Sequence, residues 1–345
     1  MNKKILVIIT IILFLFSIYK TCDLLDISFA NETSSEENKK DEINNTEKTA
    51  TISKKNTFQT DEFGIFFSDN KYIYYNNNGS YVRQNISSKE ENIVSSNMTL
   101  KNITDADENI IGVATIANND DILKDYIVEV SKDGIEKTVF YKTECSYITS
   151  IYFDEENIYY TNETHNIYKI NIDSQEISVF YETLENEDYP ILIGIKNNNL
   201  FYVNGTSISC VDLSNKTNNI LTNDGCSYLQ KPILINDCIY YFTSLSNNSI
   251  SCINIETKQI SRIINENYLN QKTNYRSIDN FNVIDNYLFL NVNGNIYYCN
   301  LKDKNKELTF YKKISSLQLN VTNDSIFFID KNNIEYIYVN WLISQ

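Results

Sequence analysis

Proline and glycine are nearly missing from this chain: 2 and 8 of 345 residues. Its turns must be made at other residues, and Asn, Asp and Ser are the types that tolerate left-handed backbone and bond to their own main chain. Histidine occurs once, at His165. That excludes multi-histidine zinc sites and leaves any histidine-based nucleophilic mechanism dependent on one side chain, which as a loop residue reads as incidental. Positive charge is short as well: 30 Lys and Arg stand against 45 Asp and Glu, a formal net charge of −15. Such a field repels phosphate backbones, so nucleic acid is not an expected partner. The 7 cysteines (Cys22, Cys145, Cys210, Cys226, Cys238, Cys252, Cys299) are odd in number, scattered and free of C-x-x-C, which argues against a disulfide framework. Cys210 and Cys252 hold the same place in SISCVDL and SISCINI and are expected to be small buried residues rather than a bonded pair. A Cys226–Cys238 bridge is an open alternative that the spacing does not support. No G-x-S-x-G, P-loop or dinucleotide fingerprint is present.

What the chain does have is 26 Tyr and 17 Phe, residues suited to half-buried pleated strands. They fall in a repeated pattern of short apolar strand, Asx-rich turn and further apolar strand. Its anchors are Ile73-Tyr74-Tyr75, Ile158-Tyr159-Tyr160, Leu200-Phe201-Tyr202, Ile239-Tyr240-Tyr241, Leu288-Phe289-Leu290 and Ile326-Phe327-Phe328, with a degenerate copy at Ile110-Ile111. The spacing averages about 42 residues, the period of a four-stranded propeller blade. The clearest copy predicts strands over Tyr147–Phe153, Asn157–Asn162, Asn166–Ile172 and Glu176–Tyr181. In the third strand a polar residue precedes an apolar one in one frame, at Asn85-Ile86, Glu129-Val130, Asn171-Ile172, Asp212-Leu213, Asn254-Ile255, Asn300-Leu301 and Asn340-Trp341. The fold expected is all-β, a seven-bladed β-propeller over residues 48–345, with six blades the alternative. The last copy supplies only three strands, and Lys48–Lys54 (KTATISK) is expected to complete that blade beside Glu335–Trp341.

The run Ile158-Tyr159-Tyr160-Thr161-Asn162, followed by Ile167 to Asp173, resembles the Tyr-Trp-Thr-Asp repeats of low-density-lipoprotein-receptor-type propellers. More closely it is similar to a bacterial family of unknown function, the low-density-lipoprotein-receptor-related-protein-like β-propellers. The resemblance covers about residues 56 to 340. Tyr160 stands where the receptor repeat has Trp, Asn162 where it has Asp, and the receptor propellers have six blades. The resemblance implies a surface or secreted propeller and brings no catalytic residues.

Residues 1–22 read as a targeting segment: Asn2-Lys3-Lys4, then the apolar run Ile5 to Tyr19. About 15 helical residues reach about 22 Å, short of the roughly 30 Å hydrocarbon core. A hydrophobic helix here is consistent with three fates: an uncleaved anchor, a signal peptide cleaved after Ala30, or lipidation at Cys22. All three put the propeller outside the cytoplasm, at the cell membrane or cell surface. Residues 23–47 read as a disordered linker, since NETSSEENKKDEINNTE has too little apolar surface to offset ordering entropy.

Function is expected to be non-enzymatic: binding or sensing of a protein, peptide or glycan, with no cofactor and no metal. Asp105 to Glu108 and Asn118 to Asp121 concentrate oxygen ligands but lack the glycine and distal Glu of an EF-hand, and read as solvated turns. The alternative is a carbohydrate-active hydrolase or lyase using loop carboxylates, for which Glu185, Glu187 and Asp188 are the best cluster. Contacts are expected on the connections between blades, the longest a loop from Glu266 to Ser277, and from Glu187, Asp188, Tyr189, Tyr268, Tyr275 and Arg276, because aromatic and Arg side chains anchor interfaces.

Overall fold

The computed structural model describes residues 67–338, leaving out single residues and short connections within that span, among them 118–122, 134–138, 142–146, 184–188, 224–230 and 315–319. Nearly every described element is a strand, and consecutive strands form antiparallel meanders. Six meanders have four strands; the last, Asn320–Val321, Ser325–Asp330 and Asn333–Tyr338, has three among the described residues. The protein is thus an all-β propeller, and the expectation of seven full blades is corrected to six complete blades plus this three-stranded sheet. Lys48–Lys54, the hydrophobic segment 1–22 and the linker 23–47 all lie outside the described residues. Among those described, no helix is long and apolar enough to cross a membrane.

Blade three shows why these sequences make blades. Its strands are Ile148–Phe153, Asn157–Asn162, Asn166–Asn171 and Ile177–Glu182, each end within a residue of expectation. Every residue of Asn157–Asn162 is buried, because neighbouring blades cover both faces of the strand. Alternation then divides the work: Ile158 and Tyr160 pack with Ile111, Val113 and Ile127 of blade two, whereas Tyr159 packs with Leu192, Leu200 and Tyr202 of blade four. Tyr160 stacks on Tyr168 across the strand pair at 5.0 Å, and Tyr159 meets Phe180 edge-on at 5.2 Å.

The recurring Asx ends the third strand. Asn85 Oδ1 accepts the N–H groups of Ser87 and Ser88, both at 2.9 Å. Asp212 accepts those of Ser214 and Asn215 at 2.8 and 3.1 Å, and Asn254 those of Glu256 and Thr257 at 3.1 and 2.8 Å. Asn171 and Asn300 do the same with Ser174 and Lys302. These are Asx turns, in which the side chain replaces a backbone acceptor. The apolar residue that follows donates its N–H to the preceding hairpin turn, as Ile172 does to Glu156 at 3.0 Å and Ile255 to Asp237 at 2.9 Å. The expected frame fails in blade two: Glu129 pairs with Ile111 within the long strand Leu123–Ser131. Asn340-Trp341 lies outside the described residues.

Four residues beyond each of four such Asx residues the backbone turns left-handed at a side chain other than glycine: Lys89, Gln175, Lys216 and Lys258, with φ of 60°, 56°, 62° and 59°. The left-handed region costs an ordinary residue roughly 1–2 kcal/mol, and glycine returns part of that in unfolded-chain entropy. Lys258→Gly is therefore expected to stabilise the fold by about 0.5 kcal/mol, about 1–2 °C in Tm by thermal melting. Lys216→Gly is not expected to do so, because Lys216 Nζ donates to the Phe180 carbonyl at 3.1 Å and lies 3.2 Å from its ring centroid. The two-residue turns use asparagine as expected: Asn197 and Asn198 have φ of 50° and 60°, and Asn293 and Gly294 have 50° and 71°.

A second repeated device was not visible in the pattern. In blades one, three, four, five and six the fourth strand slips register near the start of its partner strand, between its second and third residues in four of them and between the first and second, Ile250 and Ser251, in blade five. Val94, Phe180, Leu221, Ile263 and Tyr311 are the residues passed over, and Val94 and Phe180 are buried. A bulge there turns an extra apolar side chain inward and twists the outer edge, which discourages pairing with another sheet.

Polar side chains tie blade to blade. Asn76 exchanges two hydrogen bonds with the Leu100 backbone at 2.9 and 3.0 Å, and Ser150 accepts the Leu192 N–H at 2.9 Å. Between blades two and three the carboxylate of Asp125 takes Thr115 Oγ1–H at 2.6 Å, the Ile148 N–H at 2.8 Å and the Lys101 ammonium at 2.9 Å.

Candidate functional site

In an antiparallel meander the connection from second to third strand and the connection to the next blade emerge at the same end of the sheet. The expected contact residues sit on connections of that end. Glu187 and Asp188 lie outside the described residues, as does Glu185; the other four are placed.

Tyr268, Tyr275 and Arg276 belong to the connection between blades five and six. The sequence reading took Glu266 to Ser277 as a loop, but Glu266–Thr273 is a helix, α1. Asn265 caps it, its side chain accepting the Tyr268 N–H at 2.9 Å; Glu266 lies in the first turn and Lys272 in the last; Asn274 closes it with φ of 63°. The signal was present as an N-cap Asn followed by Glu and, at the far end, Lys-Thr-Asn. The helix is fixed by its buried side, where Leu269 joins the core cluster of Ile264, Phe281 and Leu308. Its base is fixed by Asn248 Nδ2–H on Glu266 Oε2 at 2.9 Å and by the Ile278 N–H on the Asn247 carbonyl at 2.8 Å.

The structure gives the placed residues different surroundings. Tyr268 is half-buried: its hydroxyl accepts the Leu308 N–H at 2.9 Å and donates to the Lys306 carbonyl at 3.3 Å, so it joins the helix to blade six. Lys272 pairs with Glu307 at 2.7 Å, which lowers the Glu307 carboxyl and raises the lysine, both exposed. Tyr275 is 38 % exposed and Arg276 is exposed, just past the helix. Close by, burial raises the Tyr297 phenol, with a smaller contribution from Tyr275, and Tyr297 meets Phe310 edge-on at 5.6 Å. Phe310 is itself 54 % exposed. Tyr189 stands apart from this group, on the connection between blades three and four, 49 % exposed. Its ring lies 5.4 Å from that of His165, a neighbour the sequence reading set aside as an incidental loop residue. No spacing signal joins positions 165 and 189; only closure of blade three brings them together.

Asp105 lies within the strand Leu100–Ala106, its backbone opposite Ile110. The remaining oxygen ligands considered for calcium, Asp107, Glu108 and Asn118 to Asp121, lie outside the described residues.

No protein-family model matches the chain, and no curated protein matches it. Solved structures do. PorZ, a bacterial surface component of the type-IX secretion system of Porphyromonas gingivalis, superposes with a TM-score of 0.55 at 11% identity, over 83% of this chain and 38% of that one. A puromycin-hydrolyzing peptidase of Mycobacterium tuberculosis gives 0.56 at 8% identity, over 79% and 50%. The computationally designed Ika8 protein gives 0.52 at 10% identity, over 82% and 98%. The chain thus spans well under half of PorZ and half of the peptidase. At these identities the likeness is one of fold alone, and it is that of a β-propeller.

Proposed function

We propose that the chain is an extracytoplasmic, membrane-tethered β-propeller that serves as a non-enzymatic binding or sensing domain for a protein, peptide or glycan. The observation that carries this reading is the pairing of exposed Tyr275 and Arg276 with a helix whose other side is fixed in the core. Aromatic and Arg side chains on a rigid base lose little freedom on binding, which is where interface energy concentrates. The apolar run from Ile5 to Tyr19 supports the tether, and the surface role of PorZ is compatible with the reading. The chain is further inferred to be a divergent Tyr-Trp-Thr-Asp-type propeller. Thr161, at the threonine position of that repeat, has its hydroxyl 2.6 Å from those of both Thr149 and Ser150.

Capture of partners from cell-envelope extract on the immobilised full chain tests the reading. Tyr275→Ala with Arg276→Ala is expected to reduce recovery of the principal partner by about tenfold or more. Equal recovery from the double variant, folded to the same melting temperature, would remove this face as the site of contact.

The three-stranded sheet is inferred to be a seventh blade whose outer strand is Lys48–Lys54. In each of the six complete blades the third strand has a fourth beside it, and Asn333–Tyr338 is the strand in the corresponding place.

A further inference from the structure

A second group of side chains, around blade three, lies at the end where these connections emerge. Tyr147 and Tyr189 stand just before the first strands of blades three and four, 50 % and 49 % exposed. The turn Glu163 to His165 reaches both. Glu163 Oε2 accepts the Tyr147 N–H at 2.9 Å, and the His165 ring is tilted 32° against that of Tyr189 at 5.4 Å. Lys101 places its ammonium 4.4 Å over the Tyr147 ring. The turn is held in shape: Asn162 Oδ1 accepts the Thr164 N–H at 3.0 Å and its hydroxyl at 2.6 Å, while the His165 carbonyl accepts from both the N–H and the hydroxyl of Thr183. One polar atom is left over. His165 Nδ1 is buried and has no hydrogen-bond partner, an arrangement native proteins generally reserve for a missing water or ligand.

We propose that Tyr147, His165 and Tyr189 form a binding site for a neutral glycan; this rests on the reading of the domain as a binding module and names its ligand class. Three observations select that class. Two half-exposed phenol rings offer apolar faces with polar tips, suited to the C–H faces and hydroxyls of a sugar ring. A sugar hydroxyl both donates and accepts, so it satisfies His165 Nδ1 in either tautomer, provided that binding uncovers this buried atom. The net charge of −15, with Glu163 in the same turn, disfavours acidic polymers. An extended peptide is less suited, because it binds by taking up unpaired main-chain groups. Here the Tyr147 N–H and the His165 carbonyl are already engaged, and Pro190 has no N–H to offer.

The test is calorimetric titration of the full chain with cellohexaose, chitohexaose and maltohexaose, with polygalacturonate as the acidic comparison and an unstructured neutral peptide library as the alternative ligand. At least one neutral hexaose is expected to bind. Tyr189→Ala, Tyr147→Ala and His165→Ala are each expected to weaken it about tenfold, whereas Ile220→Ala, an exposed position on the outer strand of blade four, leaves it unchanged. Absence of binding to all three hexaoses overturns the proposal, as does hexaose binding indifferent to the three substitutions. Peptide binding that Tyr189→Ala abolishes also overturns it, since the site then takes another class of ligand. If envelope capture persists while the hexaoses fail, the binding-domain reading stands without this site; if both fail, it falls too.

Discussion

Asp125→Ala is expected to cost about 3–5 kcal/mol of stability, about 6–12 °C in Tm. The carboxylate is 2 % exposed and receives three donors from three strands: Lys101 on the first strand of blade two, Thr115 on the second and the Ile148 N–H on the first strand of blade three. Removing it leaves an ammonium with no counter-charge in a largely buried seam and a backbone N–H without its acceptor, and both are expensive in low dielectric. Asp125→Asn keeps the shape and one carbonyl oxygen for Ile148, so about 1–2 kcal/mol is expected instead. Urea melts of the two variants separate the contributions. A loss under about 1 kcal/mol for the alanine variant would show that apolar packing alone holds the seam.

Asp125 also illustrates what sequence reasoning could not reach. In a chain with 45 acidic residues, one more Asp near a strand start reads as solvated surface, and only the docking of the next blade buries it. Residues whose role is local were legible. The Tyr and Ile alternation gave the strands, the Asx frame marked the ends of third strands in five blades, and Cys210 and Cys252 proved buried and free of disulfide. Features that depend on which strand lies beside which were not. The bulge at Val94, Phe180 and their counterparts is a property of pairing, and the two adjacent apolar residues that signal it also suit an ordinary strand. The contact surface divides in the same way. Tyr275 and Arg276 are exposed in keeping with their residue types, while Tyr268, picked for the same reason, uses its hydroxyl on Lys306 and Leu308 of blade six. Helix α1 was missed although its cap at Asn265 is a local signal, because a long connection between blades was taken as loop by default.

Deleting residues 1–55 is expected to destabilise the propeller by more than about 3 kcal/mol, whereas deleting residues 1–44 leaves its melting temperature unchanged. The difference isolates Lys48–Lys54. Asn333–Tyr338 pairs on one side with Ser325–Asp330, and strand hydrogen-bonding groups alternate from side to side, so its other edge presents donors and acceptors that require a partner. In the six four-stranded sheets among the described residues that partner is a fourth strand. KTATISK has the β-branched Thr49, Thr51 and Ile52 suited to the place. On the proposed closure, a segment from before blade one would join the three-stranded sheet, so its loss would remove a sheet partner and a closure together. The longer deletion should therefore also expose a strand edge and raise self-association, measurable by light scattering below the melting transition. Adding the synthetic heptapeptide KTATISK in excess should recover part of the lost stability through mass action on the vacated edge. Equal melting of both truncations would show that the ring closes without this segment, and that the three-stranded sheet is a terminal blade complete as it stands.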